Sequence, residues 1–516
     1  MDLVWRCLCI ICTLAVSIRH SFEQKFDFAS YYGDYMVLQR EPAGAVIWGY
    51  GSNGANVTLT LLGNVINISQ IAQVVDGKWK AVLPPMKPGG PFTLAARQEN
   101  TNGNVTVRKI TDILFGDVWL CGGQSNMEMT LSQVINSSEE LSQAVKFHDV
   151  RVFSAALEQS ETELYDLPRV LLPWSVPSAE VLGAGNFTYF SAVCWLFGRY
   201  LYAKLKYPIG LVESCWGGTI IETWSSPRVL QKCIPARSLS RLPKVEAAPL
   251  QSSVLWNAMI HPLLNMTIKG VIWYQGESNT DYHRDFYNCT FPAMIDDWRE
   301  SFHQGSMKQT AEDFPFGFVQ ESFTVLLTQA CSEDYPILRW HQTADMGFVP
   351  NARMKNTFMA VSLDLVDDRS PWGSIHPRYK QDVAFRLTLG ARAVVYGEKV
   401  SFQGPFPSKI NYTEKVVDVT FSQEILYKGF SGDLFQFCCT DKTDCSSAYA
   451  AWETAQVVDH SSNSVRLLAP CSNDIGLRYA WFNWPCSFKK CLIYSADDIL
   501  PAPPFIFNHV RKYKKW

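Results

Sequence analysis

Between Phe26 and about Ile110 apolar and polar residues alternate in short runs: AVIWGY (45–50), NVTLTLL (56–62), KWKAVL (78–83), PFTLAA (91–96) and NVTVRKI (104–110). A period of two marks strands with one face buried, and Asp76-Gly77 and Pro88-Gly89-Gly90 supply turns between them. Strands at this spacing predict an antiparallel sandwich. From Thr111 to about Glu398 the rhythm changes. Continuous apolar runs, LFGDVWLC (114–121), PIGLVES (208–214), IKGVIWYQG (268–276), FGFVQ (316–320) and TFMAVSLD (357–364), are separated by helical stretches. The clearest helix is SAVCWLFGRYLYAKL (191–205). Strands buried on both faces and alternating with helices imply a parallel α/β sheet, with reactive residues in the loops past its carboxyl ends. After about Lys399 strand character returns in KVVDVTF, LFQFCC, SVRLLAP and LRYAWF.

Composition places this pattern in a compartment. The chain has 516 residues, 47% hydrophobic and 18% charged, with a formal net charge of −3. Disorder of the whole is excluded, and so is nucleic-acid binding through a basic face. The run Cys7 to Ile18 is too short to span a membrane but suits the apolar core of a leader, with cleavage expected between about Ser17 and Lys25. Its removal takes Cys7, Cys9 and Cys12 from the fifteen cysteines and leaves an even number, as an oxidising compartment favours. Eight N-x-S/T sequons, at Asn56, Asn67, Asn104, Asn136, Asn186, Asn265, Asn288 and Asn411, agree with export to a secreted or lysosomal destination. The expected organisation is therefore a leader (1–23), an N-terminal β-sandwich (24–110), an α/β domain (111–398) and a C-terminal disulfide-stapled β-domain (399–516). Cys438, Cys439, Cys445, Cys471, Cys486 and Cys491 lie in the last of these, without the paired CxxC spacing of a zinc site. No metal is expected. Cys121 and Cys215, beside the turns described next, are the first candidates for a free thiol.

One motif is a decoy. Gly49-Tyr50-Gly51-Ser52-Asn53-Gly54 matches GxGxxG, but a strand follows it where a dinucleotide site needs a helix, so a glycine-rich hairpin loop is expected. The chemistry lies in Gly122-Gly123-Gln124-Ser125-Asn126-Met127, directly after DVWLC. A serine on a glycine-flanked turn at a strand end presents its hydroxyl and its own N–H, as a nucleophile supplying part of its oxyanion hole must. Met127 stands where the GxSxG elbow has its second glycine, so this is a different turn. Two more turns, ESCWGGT (213–219) and WYQGESN (273–279), follow later strands, and Gly373-Ser374-Ile375-His376-Pro377 offers a histidine in a late loop.

Together GQSNM, SCWGGT, WYQGESN and IHP resemble the blocks of the SGNH/GDSL hydrolase superfamily, and nearly the whole mature chain resembles its sialate O-acetylesterase family. The resemblance implies an SGNH-type parallel-sheet hydrolase domain flanked by N-terminal and C-terminal β-rich domains. It implies a serine esterase acting on O-acetylated sialic acids or sialoglycoconjugates through an acetyl-enzyme, without a metal or organic cofactor. It assigns Ser125 as nucleophile, Gly218 as donor of a second oxyanion N–H, Gln275 as a third donor through its amide, and His376 as general base.

The acid departs from the pattern. Relatives carry an aspartate three or two residues before the histidine, where this chain has Gly373 and Ser374. Asp367 or Asp368 upstream, Glu277 beside Gln275, or a backbone carbonyl are the groups left to orient the imidazole. His341 is a rival base, and His261 reads as structural; His148, His283, His303, His460 and His509 read as surface. Arg339 is a candidate partner for a substrate carboxylate and Trp273 for a sugar face. The alternatives to the main reading are an esterase for another acetylated carbohydrate, such as acetylated xylan, and an inactive glycan-binding protein.

Overall fold

The computed structural model describes residues 26–63, 65–99, 103, 105–239, 249–321, 333–413, 415–429, 434–439, 444–445, 450–469 and 475–508. The leader, Asn104, Cys331, Cys471 and His509 lie outside the described residues. Seven strands build the central sheet: β1 (Val105–Gly123), β2 (Val150–Ala155), β3 (Val170–Ser175), β4 (Ile209–Cys215), β5 (Gly270–Tyr274), β6 (Phe316–Gln320) and β7 (Thr357–Val361). Their order is β3-β2-β4-β1-β5-β6-β7, and every neighbouring pair is parallel except β3 with β2.

Helices on both faces explain the continuous apolar runs. In β5, Ile272 and Tyr274 face α1 (Ala192–Leu205) and α3 (Lys380–Val394), while Val271 and Trp273 face α2 (Tyr287–Gly305). Ser191 caps α1, its hydroxyl accepting from Cys194 N at 3.1 Å, and Lys206 ends it in a left-handed conformation. Cys121 is not free: it is joined to Cys194, tying β1 to α1. A second disulfide, Cys233–Cys289, secures the start of α2. Cys215 is the free thiol among the described residues, and it is buried.

The first part of β1 belongs to a different environment. Up to Thr111 it alternates between exposed and more sheltered positions, pairing antiparallel with Gly89–Glu99; from Ile113 to Gly123 every residue is buried. Asp112, at φ +53°, stands at the change. The boundary expected at 110/111 therefore falls inside one strand. Around it are the strands Asn56–Leu62 and Asn67–Gln73, with a second antiparallel sheet of Asp27–Phe28, Ala45–Tyr50 and Lys78–Leu83. The glycine-rich loop at 49–54 is not a hairpin loop: it carries the chain from one of these sheets to the other.

The C-terminal region is β-rich. One antiparallel sheet holds Pro407–Thr413, Val416–Phe421, Val457–His460 and Ser464–Leu468. Another holds Phe435–Cys439, Glu453–Thr454, Ile475–Tyr479 and Phe505–Phe507. Cys438–Cys445 and Cys486–Cys491 are disulfides, and Cys439 is also disulfide-bonded.

In the central sheet the chain leaves β1 toward β2 and leaves β5 in the opposite direction, toward β6. Adjacent strands whose connections diverge open a crevice at their carboxyl ends. The GQSN, WGG, QGE and IHP turns follow β1, β4, β5 and β7, so all four reach this end of the sheet.

Candidate active site

Ser125 opens a one-turn helix, Ser125–Glu128, at the end of β1. The turn can form only because residue 123 is glycine. Its φ is +142°, and a Cβ there would lie 2.1 Å from the carbonyl oxygen of Tyr274 on β5. This close approach aims Ser125 into a cavity of about 570 Å³ whose walls include Gln124, Glu128, Phe187, Gly217, Gly218, Glu277 and His376. His376 Nε2 lies 2.8 Å from Ser125 Oγ, although 251 residues separate them.

The other ring nitrogen, Nδ1, lies 2.8 Å from the backbone carbonyl of Trp372. A carbonyl only accepts, so Nδ1 carries the proton and Nε2 is left as the acceptor for the serine hydroxyl. The loop is closed by His376 N donating to Gly373 O at 2.9 Å and by Ser370 Oγ donating to His376 O at 2.7 Å. Gly373, at φ +86°, makes the turn that brings the Trp372 carbonyl beneath the ring. Gly373, one of the two positions where an acid was expected, is thus a left-handed glycine. The ring of Phe187 packs on that of His376, with centroids 4.9 Å apart. Burial moves the His376 pKa below its ordinary 6.5; the Trp372 hydrogen bond and the Glu277 charge oppose this, while the Lys380 charge adds to it.

None of the three candidate carboxylates orients the imidazole. Asp367 is buried against Arg378, which donates from Nε at 2.6 Å and Nη2 at 3.1 Å. Burial raises the Asp367 pKa, but these hydrogen bonds outweigh it and the net shift is downward. Asp368 is exposed. Glu277 accepts from Asn126 Nδ2 instead, and the same amide group donates to Ile375 O at 2.9 Å. Asn126 Oδ1 in turn accepts from Lys380 Nζ at 2.6 Å. One asparagine therefore ties the nucleophile's helix, the QGE turn and the residue preceding His376. Sequence reasoning passed over Asn126, Glu128, Trp372 and Lys380; only the first two could have been found, because they stand within GQSNME.

Behind this knot the Glu277 and Glu321 carboxyls face one another. Burial, then the Glu277 charge, holds Glu321 well above the carboxylate range. Burial pushes the Lys380 ammonium down to about 7 against the attraction of both acids. Glu128, on the other side of Ser125, is pushed up to about 7 by burial, although its Oε2 accepts from Gly217 N at 2.8 Å.

Two oxyanion assignments fare differently. Gly218 lines the cavity. Gln275 does not: it is fully buried, and its Nε2 donates to Thr219 O at 3.2 Å and Asn279 Oδ1 at 2.8 Å. Its Oε1 accepts from Tyr287 at 2.9 Å. With both amide hydrogens engaged, Gln275 has none to offer a substrate; it braces the WGGT turn against β5.

Further expectations are corrected. Arg339 is buried, and its guanidinium donates to the carbonyls of Glu321 (2.7 Å), Phe482 and Asn483 (both 2.8 Å). It holds backbone, not substrate. Trp273 is buried between Trp224 and Trp298. His341 pairs with Asp345 at 2.5 Å, away from Ser125, and His261 bonds Leu164 O at 2.8 Å. His283 is no surface residue: it is half-buried against Glu222 at 2.9 Å. Of the described sequons, Asn56, Asn67, Asn136, Asn186 and Asn411 are exposed. Asn265 is buried and accepts from Lys80, so it cannot receive a glycan in the folded chain, and the Asn288 amide is engaged with Asp345 at 2.7 Å. Among the described residues no cluster of His, Cys, Asp and Glu is arranged to hold a metal ion, and no helix is long and apolar enough to cross a membrane.

Residues 115–311 match the model of a carbohydrate esterase family, sialic acid-specific acetylesterase, and residues 408–509 that of a sialate O-acetylesterase C-terminal domain. The chain is 50% identical to sialate O-acetylesterase of Mus musculus, across 96% of this chain and 97% of that one. It is 51% identical to the Homo sapiens protein of that name, across 93% and 92% respectively. Among solved structures, a carbohydrate acetylesterase from Xanthomonas citri is 26% identical, with a TM-score of 0.76 over 93% of this chain and 99% of that one.

Proposed function

The chain belongs to the sialate O-acetylesterase family, and from that premise we propose that it hydrolyses O-acetyl esters of sialic acids with Ser125 as nucleophile and His376 as base. The observation that carries this reading is the 2.8 Å contact between Ser125 Oγ and His376 Nε2 at the mouth of a sugar-sized cavity. His376 Nε2 takes the hydroxyl proton as Oγ attacks the acetyl carbonyl carbon. The tetrahedral oxyanion receives N–H bonds from Ser125 and Gly218. Collapse returns the proton to the departing sugar oxygen, leaving acetyl-Ser125 and free sialic acid. Water then attacks the acetyl group by the same route, releasing acetate and restoring the serine.

The base is a Ser–His dyad. The Trp372 carbonyl fixes the tautomer, the first of the two tasks a triad carboxylate performs. Stabilising the imidazolium falls to the charge of Glu277, acting through space rather than through a hydrogen bond. A base held below its ordinary pKa stays neutral, and so competent, into mildly acidic solution. The architecture reads as an SGNH-type parallel-sheet hydrolase flanked by β-rich domains. The disulfides and exposed sequons fit a secreted or lysosomal protein.

Ser125→Ala tests the mechanism. The variant should melt with the parent and lose essentially all release of acetate from O-acetylated sialic acid. Substantial turnover by a well-folded variant would falsify it.

A further inference from the structure

Glu128 takes no part in the dyad, yet its carboxyl stands beside the nucleophile's turn on the Gly217 side. It lies three residues after Ser125 on the same helical turn, so both side chains project from one face. A methyl group placed on Gly217 would lie 2.7 Å from Glu128 Oε2 and 3.2 Å from Ser125 Cβ, which puts acid, nucleophile and oxyanion turn around one point. Gly217 N donates to Oε2, and among the described residues nothing bonds Oε1. That oxygen belongs to a residue lining the cavity.

The wall around it is acidic. Glu277 and Asp281 also line the cavity, and no lysine or arginine does among the described residues. Lys380 lies behind Asn126 and Arg339 is spent on carbonyls. Behind Glu128, on β4, sit Glu213, pushed up to about 8 by burial, and the Cys215 thiol, which donates to Glu213 at 3.0 Å. His376 faces Glu128 from across Ser125. A sialic acid brings a carboxylate of its own, and no cationic side chain on the described wall receives it.

We propose that Glu128 is a substrate-contacting specificity residue that admits anionic sugar esters when protonated and repels them when ionised, leaving neutral acetyl esters unaffected. In either state it keeps Oε2 on Gly217 and one hydrogen bond to a sugar hydroxyl, donating from Oε1–H when protonated and accepting at Oε1 when ionised. Ionised, it sets a fixed negative charge a few ångströms from an anionic ligand. In a partly solvated pocket such a like charge costs about tenfold in affinity. The switch falls near neutrality, because burial brings the carboxyl to about 7. The inference rests on the esterase reading and adds a second kind of substrate to it: acetyl esters of neutral sugars, processed with no penalty at alkaline pH.

The test is KM against pH, from 5.5 to 8.5, for an O-acetylated sialic acid and for an O-acetylated neutral hexosamine. In the parent enzyme KM for the acid should rise about tenfold while KM for the neutral ester changes less than about twofold. Glu128→Gln keeps an oxygen for Gly217 N and an N–H for the sugar, so it should abolish the rise and bind the acid at pH 8.5 as the parent does at 5.5. Parallel profiles for the two substrates in the parent enzyme, a comparison needing no variant, would overturn the proposal, as would a rise that persists in Glu128→Gln. Turnover of the neutral ester with none of the sialic ester at any pH would instead remove the substrate reading beneath it.

Discussion

Gln275 has both amide hydrogens committed, to Thr219 O and Asn279 Oδ1, and its carbonyl committed to Tyr287. Truncating it strips Thr219 O of its donor and takes one of two partners from Asn279 Oδ1 and the Tyr287 hydroxyl, which keep Ile221 N (2.9 Å) and Gln275 O (3.3 Å). A buried acceptor left unpaired costs about 1–3 kcal/mol, and the lost packing adds to it. Gln275→Ala should therefore lower the melting temperature markedly, with loss of activity following the displaced WGGT turn. A direct oxyanion donor behaves oppositely: its removal costs about 100- to 1,000-fold in kcat at little cost in stability. Thermal melting and kcat on the same variant separate the two. The motif that contains Gln275 was readable from the chain, because strand-then-turn patterns are local. The direction of its side chain was not, because that depends on Thr219 and Tyr287, which reach it from two other elements. His376 shows the same division. Its meeting with Ser125 could be anticipated from the two turns, but the choice among acid, second acid and carbonyl waited on the fold of 370–376 and on Asp367 being claimed by Arg378.

At the scale of elements, the nucleophile's placement depends on two strands touching at one glycine. Gly123 and Tyr274 end β1 and β5 side by side, and a Cβ at 123 would meet the Tyr274 backbone at 2.1 Å rather than the end of a flexible side chain. Relief requires the strands to part at the point from which both catalytic turns spring. Gly123→Ala should cost more than about 4 kcal/mol, read as lost soluble yield or a collapsed melting transition. Recovery of a normally melting, active variant would contradict this account. The parallel strands were legible as apolar runs because helices cover both faces of the sheet, and β1 was legible as two rhythms. That these belong to one strand was not, since only the change at Asp112 marks the join and no turn residue is needed there.

For the whole molecule, Arg339 is the clearest fastening between the α/β unit and the C-terminal strands. It reaches Glu321 O from one side and the Phe482 and Asn483 carbonyls on the other, supported by Arg478 donating to Glu333 at 2.7 Å. Lysine has no planar fork with which to span three carbonyls. Arg339→Lys should lose about 2–4 kcal/mol of stability, seen in thermal melting, while KM for the sialic ester stays that of the parent. A raised KM at unchanged stability would return this arginine to the substrate. The shared strand also bears on how the chain assembles as it is synthesised. The N-terminal half of β1 finds its partner in Gly89–Glu99, already made, whereas the half that ends at the nucleophile needs β4 and β5, which emerge much later. For that interval a nascent chain holds a strand, apolar apart from Asp117, whose first residues already pair with Val37–Gln39 but whose edges beyond Gly116 stay open, anchored in direction by a finished sheet. The N-terminal sheet thus acts as a jig during translation, and the passage from Ile113 to Gly270 is the stretch in which a chaperone has most to protect.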